Sequence, residues 1–335
     1  MMEKYAIRVE NLTKDFNGFV AVDSISFNVK RGELFGLLGP NGAGKTTTIN
    51  MLSTLLKSTS GYAELEGLDV SKNKDAVRNN IGIVFQDPAL DNRLTGRENL
   101  EFHAMMYGIG KEERRKRIKE VLELVELTDK ANTLVENYSG GMKRRLEIAR
   151  GLIHKPKVLF LDEPTLGLDV QTRRHIWDYI KKLNKESGIT IILTTHYMEE
   201  ADYLCDRLAI IDHGKIVALN TPNKLKDELG GDVVSLEVNR NIRDLLNRLK
   251  NLKWIKTMKE HDGILSLTTW KGEKRIPGLI EAAKKIGVTV DSVNLHKPSL
   301  DDVFLHFTGR TIREQEAGRN EHNREMMRRR MMRAR

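Results

Sequence analysis

The sequence predicts an α/β fold in two domains, with a mostly parallel sheet in the larger domain and an α+β module after it. A glycine-rich loop at residues 39–46 follows a short apolar strand and precedes a helical pattern. Strand and helix patterns alternate between residues 158 and 219, which is typical of a parallel sheet. Residues 233–295 show the order strand, helix, strand, strand, helix, strand, which is that of a ferredoxin-like module.

The larger domain also contains the patterns of an antiparallel β subdomain and a helical subdomain. Turns such as Asn17-Gly18 separate the early strands. From residue 95 to 154 helical periodicity replaces strand signals, which predicts a helical subdomain at about residues 87–155. The predicted strands of this domain are 5–10, 25–29, 33–38, 61–66, 81–85, 158–161, 189–194, 208–211 and 215–219.

The pair Gly230-Gly231 predicts the domain boundary, because two glycines interrupt the helix that starts near Thr221-Pro222. We therefore expect a first domain at residues 1–230, an accessory α+β domain at 231–309 and a tail at 310–335. Ser299 is the candidate N-cap of a helix that closes the accessory domain.

Composition narrows the class of protein. The chain has 335 residues, 39% of them hydrophobic, which suits two globular cores. No apolar run approaches the roughly 18 residues of a membrane helix, and the chain opens with a strand pattern rather than an apolar signal region. Cys205 is the single cysteine, which excludes an intramolecular disulfide. These features predict a soluble protein in a reducing, cytoplasmic compartment.

The net charge of +9 is unevenly spread. Residues 310–335 contain nine Arg and four Glu, so the tail holds +5 of the total. The rest of the chain is only mildly basic, and no nucleic-acid partner is predicted from its charge.

Residues 39–46 match G-x-x-x-x-G-K-[ST], a loop that wraps the phosphates of nucleoside triphosphates. Glycines let backbone N–H groups turn toward an anion, and the helix start adds partial positive charge. Lys45 is expected to reach the β- and γ-phosphates and Thr46 to bind Mg²⁺. A chance glycine-rich turn is disfavoured because a strand and a helix flank the loop. The candidate nucleotide-binding residues here are Gly39, Pro40, Asn41, Gly42, Ala43, Gly44, Lys45, Thr46 and Thr47.

Asp162 and Glu163 end an apolar strand and supply two adjacent carboxylates. Ligands of parallel sheets bind at such carboxyl ends of strands. Successive residues point in different directions, so we expect Asp162 to face Mg²⁺ and Glu163 to face an attacking water. A capping pair at a strand–helix turn is the alternative.

Three more features are ambiguous by themselves. The segment Ser139-Gly140-Gly141 opens a helix and is either a second anion site or a ligand-free turn. Gln86 follows a predicted strand, as does His196. Either residue is most simply a polar strand end, but each lies where it could reach the nucleotide or its metal.

In this order, the phosphate loop, Gln86, the Ser-Gly-Gly segment, the Asp-Glu pair, Asp169 and His196 resemble the ATP-binding subunits of ABC transporters. The resemblance covers about residues 4–220. It implies a P-loop NTPase fold, ATP and Mg²⁺ as cofactors, and a head-to-tail dimer in which each ATP lies between one phosphate loop and the partner's Ser-Gly-Gly segment.

The resemblance also implies residue roles. Phe16 would stack on adenine, and Ser139, Gly140 and Gly141 would contact ATP bound to the opposite subunit. Asp169 would act across the dimer interface. Gln86 would help to bind Mg²⁺, with Thr46 and Asp162, and would couple the site to a membrane partner. Glu163, His196 and Lys45 would be the catalytic residues.

Residues 297–309 resemble the end of daunorubicin-resistance-type ATP-binding subunits, and Tyr138 and Met142 around the Ser-Gly-Gly segment resemble the export branch. The resemblance implies an ATPase that powers a separate permease, for export of a drug, antibiotic or lipid-like substrate. It leaves open whether the ATPases form a homodimer or a pair of different subunits. An ABC ATPase acting on ribosomes or DNA, or a nucleotide-sensing regulator, are the alternatives.

The tail ends in Arg/Met repeats. Its low content of large apolar residues is typical of a solvated, disordered segment. Electrostatic contact with anionic lipid headgroups at the cytoplasmic face of the membrane is the second interpretation.

Overall fold

The computed structural model describes residues 5–238, 242–250, 252–261 and 263–309. By their contacts these residues divide into two compact units, one up to Ile216 and one from Val217 onward. Within these described ranges, no helix combines the length and the apolar character that crossing a bilayer requires.

The first unit contains strands of two sheets and seven helices among its described residues. In chain order they are β1 (Tyr5–Phe16), β2 (Phe19–Lys30), β3 (Leu34–Leu38), α1 (Lys45–Leu52), β4 (Ser60–Leu65), β5 (Leu68–Asp69), α2 (Lys74–Asn80), β6 (Ile81–Val84), α3 (Gly96–Met106), α4 (Lys111–Leu124), α5 (Gly140–Leu152), β7 (Val158–Asp162), α6 (Val170–Ser187), β8 (Thr190–Thr195), α7 (Met198–Leu204) and β9 (Arg207–Asp212). Strand β10 (Lys215–Asn220) contains the boundary between the units.

Strands β1, β2, β4 and β5 form an antiparallel sheet in the order β2-β1-β4-β5. The hairpin β1–β2 turns at Asn17 and Gly18, which have φ of 52° and 93°. Such positive φ angles at both central residues match the twist of a tight hairpin and favour Asn-Gly.

The larger sheet has the order β10-β9-β3-β8-β7-β6, and β3 lies between β8 and β9 with parallel pairing on both sides. Every residue of β3, β7 and β8 is buried, as expected of strands covered on both faces. Parallel strands end at the same edge, so the segments after β3, β6, β7 and β8 all lie at one edge of the sheet.

The predicted helical block is present as α3, α4 and α5, with two short 3₁₀ turns at Thr128–Lys130 and Val135–Asn137. Helix α3 begins with a capping box in which Thr95 and Glu98 exchange hydrogen bonds. On α4, only one stripe is buried (Ile118, Val121 and Leu122), so its charged face is solvated.

The second unit contains α8 (Pro222–Leu229), β11 (Asp232–Val238), α9 (Ile242–Leu249), β12 (Ile255–His261), β13 (Ile264–Thr269), α10 (Gly272–Lys284), β14 (Val290–His296) and α11 (Leu300–Thr308). Its sheet is antiparallel in the order β12-β13-β11-β14. Its apolar core includes Leu236, Leu245, Leu265 and Leu279, which come from the sheet, α9 and α10. The predicted ferredoxin-like module is thus present, and the predicted fold class is confirmed.

The contacts place the division between the units earlier than the predicted boundary at Gly230. Helix α8 lies before that boundary but packs against α11 within the second unit. Helix α10 begins at Gly272 and contains Pro277. The predicted tail, residues 310–335, lies outside the described residues.

Candidate active site

The phosphate loop lies between β3 and α1, as its motif requires. Gly44 is the N-cap of α1 with φ of 108°. A Cβ atom on Gly44 would lie 2.6 Å from the Ala21 carbonyl oxygen, and one on Gly39 would lie 2.2 Å from that of Ile211. Glycine is therefore required at both positions, and the loop presents the start of α1 to an anion.

Lys45 is buried beside this loop, with 4% of its surface exposed. Its Nζ donates hydrogen bonds to the carbonyl oxygens of Gly39 (2.7 Å) and Pro40 (3.1 Å). It also forms an ion pair with Glu163 Oε1 at 3.1 Å. The ammonium group is thus held at the loop, where it can bind phosphate oxygens.

Asp162 is the last residue of β7, and its Oδ1 accepts hydrogen bonds from two threonines. Thr46 Oγ1 lies 3.2 Å away, and the second donor is Thr194 Oγ1 on β8. One carboxylate and one hydroxyl suit Mg²⁺, which takes few protein ligands and completes its octahedron with phosphates and water. Within the described residues no cluster of three or more His, Cys, Asp or Glu could hold a metal alone. The residues at this point therefore fit a magnesium ion that arrives with a nucleotide.

Glu163 follows in a left-handed backbone conformation, with φ of 48°. Such a conformation costs on the order of 1–3 kcal/mol in a residue with a side chain. Its N–H bonds to Thr194 Oγ1 (3.0 Å), and its Oε2 lies 3.0 Å from His196 Nδ1. The turn separates the carboxylate of Glu163 from that of Asp162 and aims it at Lys45 and His196.

The pKa of Glu163 is lowered from its ordinary value. Burial acts against this and favours the neutral acid, but the hydrogen bond with His196 and the positive charge of Lys45 outweigh burial. Glu163 is therefore an ionised carboxylate near neutral pH, able to accept a proton from water. The structure thus brings together five predicted residues: Lys45, Thr46, Asp162, Glu163 and His196.

Gln86 and Phe16 lie at the rim of this group. Gln86 is exposed and comes two residues after β6, which pairs in parallel with β7 through Val84 and Leu161. It therefore lies at the same sheet edge as Asp162. Phe16 is 44% exposed at the tip of the β1–β2 hairpin, and Ala21 of that hairpin contacts the phosphate loop. An exposed ring beside the loop is suitably placed to stack on a base.

Ser139, Gly140, Gly141 and Asp169 form a second group, where α5 and α6 begin. Ser139 caps α5 by accepting a hydrogen bond from Met142 N at 3.2 Å. Asp169 caps α6 by accepting hydrogen bonds from Thr172 N (2.9 Å) and Oγ1 (2.6 Å), which lower its pKa. A Cβ on Gly141 would lie 2.6 Å from Thr172 Cγ2, so the two helix starts are adjacent. Ser139 and Asp169 each cap their own helix, and the two helix starts lie side by side.

Arg144 on α5 is a positioning residue that the sequence did not indicate. Its guanidinium is buried and donates to the carbonyl oxygens of Pro164 (2.7 Å), Asp162 (3.0 Å) and Phe85 (2.6 Å). It also pairs with Glu147 at 3.0 Å. Burial lowers the pKa of Arg144, and the charge of Glu147 partly offsets that effect. Arg144 holds the ends of β6 and β7 against the helical block.

Both units match known protein families. Residues 22–166 match the ABC transporter family, and residues 221–308 match the C-terminal domain of DrrA1-3-like ATP-binding proteins. The chain is 42% identical over 311 residues to the linearmycin resistance ATP-binding protein LnrL of Bacillus subtilis (strain 168), a match that covers 92% of this chain and all of LnrL. The chain belongs to the ATP-binding proteins of ABC transporters.

Two further comparisons agree with this family. The daunorubicin resistance ATP-binding protein DrrA3 of Streptomyces coeruleorubidus is 41% identical over 317 residues, with 94% of this chain and 100% of DrrA3 covered. The ATP-binding cassette MJ0796, solved as a dimer in a post-hydrolysis state with ADP and Pi, is 32% identical with a TM-score of 0.58. That match covers 64% of this chain and 98% of MJ0796. The predicted family and the prediction of an ATPase are confirmed, whereas the individual residue roles stay predictions.

We expect Glu163→Gln to lower kcat for ATP hydrolysis by at least about 100-fold, because the amide cannot accept a proton from water. ATP binding should be retained, because the size and polarity of the side chain are kept.

Lys45→Ala is the matched comparison: it should raise the Kd for ATP by roughly tenfold or more, since a charged hydrogen bond to phosphate is lost. Phosphate release and a nucleotide titration measure the two effects. Near-normal turnover of Glu163→Gln would show that another group is the base.

Proposed function

We propose that this chain is the ATP-hydrolysing subunit of an exporter whose membrane path is formed by a separate permease. The observation that carries the proposal is the joint presence of the Lys45, Asp162, Glu163 and His196 cluster and a DrrA-type second domain. Relatives with both parts are named resistance proteins for linearmycin and daunorubicin. A drug, antibiotic or lipid-like molecule is the proposed cargo.

At the nucleotide, the residues of this chain have separable tasks. The phosphate loop and Lys45 bind the triphosphate, and Thr46, Asp162 and Gln86 hold Mg²⁺, which neutralises phosphate charge when bound. Glu163 accepts the proton of the attacking water. His196 holds the Glu163 carboxylate through its Nδ1, and its second proposed task is a hydrogen bond to the γ-phosphate. Phe16 stacks on the base. The roles of Lys45, Thr46, Asp162, Glu163 and His196 are consistent with the distances above, and Glu163→Gln and Lys45→Ala test two of them.

An exposed apolar patch on the helical block is consistent with binding to a protein partner. Phe102, Met105 and Met106 on α3 are 60%, 49% and 69% exposed. Side chains of this size clustered at one helix end are typical of an interaction surface. We propose that this patch contacts the permease and that the chain works at the cytoplasmic face of the membrane.

Purification from solubilised membranes tests the partner directly. The full chain should recover a protein with several apolar spans, identified by sequencing. Phe102→Ser with Met106→Ser should reduce that recovery at least about tenfold without changing basal ATPase activity. Tyr62→Ser, an exposed aromatic on β4, is the control and should recover the partner normally. Recovery of ribosomes or DNA in place of a membrane protein would contradict the proposal.

We also propose that two chains share two ATP sites, each built from one phosphate loop and the Ser139–Gly141 segment of the partner. Ser139→Arg should then abolish turnover by blocking that segment. In an equimolar mixture with Lys45→Ala chains, heterodimers retain one site made of intact halves, so part of the activity should return. Turnover of the mixture that stays at the level of either mutant alone, with heterodimers present, would contradict shared sites.

For residues 310–335, which lie outside the described residues, we propose contact with anionic lipids. Each basic residue near such a surface contributes about 1 kcal/mol, and salt screens the effect. The full chain should sediment with anionic vesicles at low salt, and a chain that ends at Arg310 should sediment less. Equal sedimentation would leave the tail as a solvated segment.

A further inference from the structure

Glu200 is a fully buried carboxyl group outside the residues assigned so far. It lies on α7, which begins two residues after His196, and its relative exposure is 0%. Acidic side chains are almost never completely buried unless specific partners hold them. The complete burial of an acidic group beside the site needs a physical explanation.

Two side chains donate hydrogen bonds to Glu200. Its Oε1 accepts from Thr165 Oγ1 at 2.8 Å and from Trp177 Nε1 at 2.7 Å. Thr195 is a third polar neighbour of the carboxyl group. All three are nearly inaccessible, with exposures of 0%, 2% and 1%. The carboxyl group is therefore the centre of a dry polar network.

The partners belong to three elements that carry site residues. Thr165 begins the loop between the Glu163-Pro164 pair and Asp169, and this loop folds back with Leu168 N bonded to Thr165 O at 3.2 Å. Thr195 directly precedes His196 at the end of β8. Trp177 is on α6, which Asp169 caps. One carboxyl group on α7, four residues after His196, thus ties the loop after Glu163 to α6 and α7.

The burial is costly. Removal from water raises the pKa of Glu200, and its polar neighbours Thr195, Thr165 and Trp177 oppose that effect. Within the described residues, Oε2 has no hydrogen-bond partner. An apolar side chain would avoid this cost but would leave two buried donors, those of Thr165 and Trp177, unpaired. The Glu200 carboxyl group thus holds Thr165 and Trp177 in fixed positions, which an apolar side chain could not do.

We propose that Glu200 is a positioning residue for ATP hydrolysis, which locks the loop at residues 165–169 to α6 and to the start of α7, the helix that follows His196, so that Glu163, His196 and Asp169 keep their mutual orientation. Glu200 touches neither nucleotide nor water in this role. The inference rests on the proposed roles of Glu163 and Asp169.

Isosteric variants separate positioning from general stability. Thr165→Val removes one hydroxyl from the network and should lower kcat about tenfold with the KM for ATP unchanged, since nucleotide binding depends on the phosphate loop. Thr190→Val is the matched control: this threonine is also buried on β8 and accepts a hydrogen bond from Gly32 N at 3.0 Å, but it lies at the other end of the strand. It should lower Tm to a similar extent and leave kcat within about twofold.

Changes at Glu200 itself complete the test. Glu200→Gln keeps an acceptor for Thr165 and Trp177 and should retain kcat within about threefold, whereas Glu200→Ala should lose at least about tenfold. The double variant Glu200→Ala with Thr165→Val should be no slower than Glu200→Ala alone, because both remove the same connection. If Glu200→Ala does not fold, Thr165→Val and Glu200→Gln still decide the question.

Two results would overturn the inference. One is normal kcat in Thr165→Val, and the other is a loss of kcat that tracks the loss of Tm equally in Thr165→Val and Thr190→Val. Glu163→Gln, measured in the same assay, separates a failure of the proposed active site from a failure of the role proposed for Glu200. If Glu163→Gln hydrolyses ATP normally, the proposed site is wrong; if it is inactive while Thr165→Val is normal, only the role of Glu200 is wrong.

Discussion

The Arg144 guanidinium is the contact on which the geometry of the site depends most. It reaches from α5 to three backbone carbonyls, and those carbonyls belong to the ends of β6 and β7 and to Pro164. Buried hydrogen bonds from a charged donor contribute about 1.5–3 kcal/mol each. Helix α5 also begins with the Ser139–Gly141 segment, so the same bonds fix that segment relative to Asp162. Displacement of the helical block must either carry the strand ends with it or break these bonds.

A second constraint is that several hydrogen-bond acceptors compete for the ammonium group of Lys45. Its ammonium group contacts two loop carbonyls and the Glu163 carboxylate, all within 3.1 Å. Phosphate oxygens that approach Lys45 must share it with these acceptors. Any weakening of the ion pair removes one of the charges that lowers the pKa of Glu163. With Lys45 in its proposed role, we therefore expect nucleotide binding to be electrostatically coupled to the pKa of Glu163.

The motifs were predictable because each depends on local spacing. The phosphate loop needs glycines at fixed positions, and the N-cap at Ser299 needs only the acid three residues later, Asp302, with which it forms a capping box. Apolar strand patterns followed by polar residues located Asp162, Glu163 and His196 at one sheet edge. The order of elements in the second unit followed from the same periodicity.

What the sequence could not predict depends on contacts between distant segments. Arg144 stands in a run of charged residues on a helix, a pattern typical of a solvated face, and its burial follows from the approach of the β6 and β7 ends. Helix α2 was missed because only Val77 of its seven residues is buried, which leaves little periodicity to detect. Helix α8 was assigned to the first domain because its contact with α11 joins segments about 75 residues apart, beyond any local pattern.

The residues at the carboxyl edge of the sheet and those at the start of α5 differ in whether their polar groups already have partners. At the carboxyl edge of the sheet, Lys45 already forms an ion pair with Glu163, and Asp162 accepts hydrogen bonds from Thr46 and Thr194. At the start of α5, Ser139 Oγ accepts from Met142 N, which leaves the hydroxyl hydrogen for another acceptor. The first N–H groups of α5 have no acceptor within the helix, and no side chain on Gly140 or Gly141 shields them. Such a helix start can bind an anion, and in the proposed dimer a nucleotide held by the phosphate loop of a second chain would supply one.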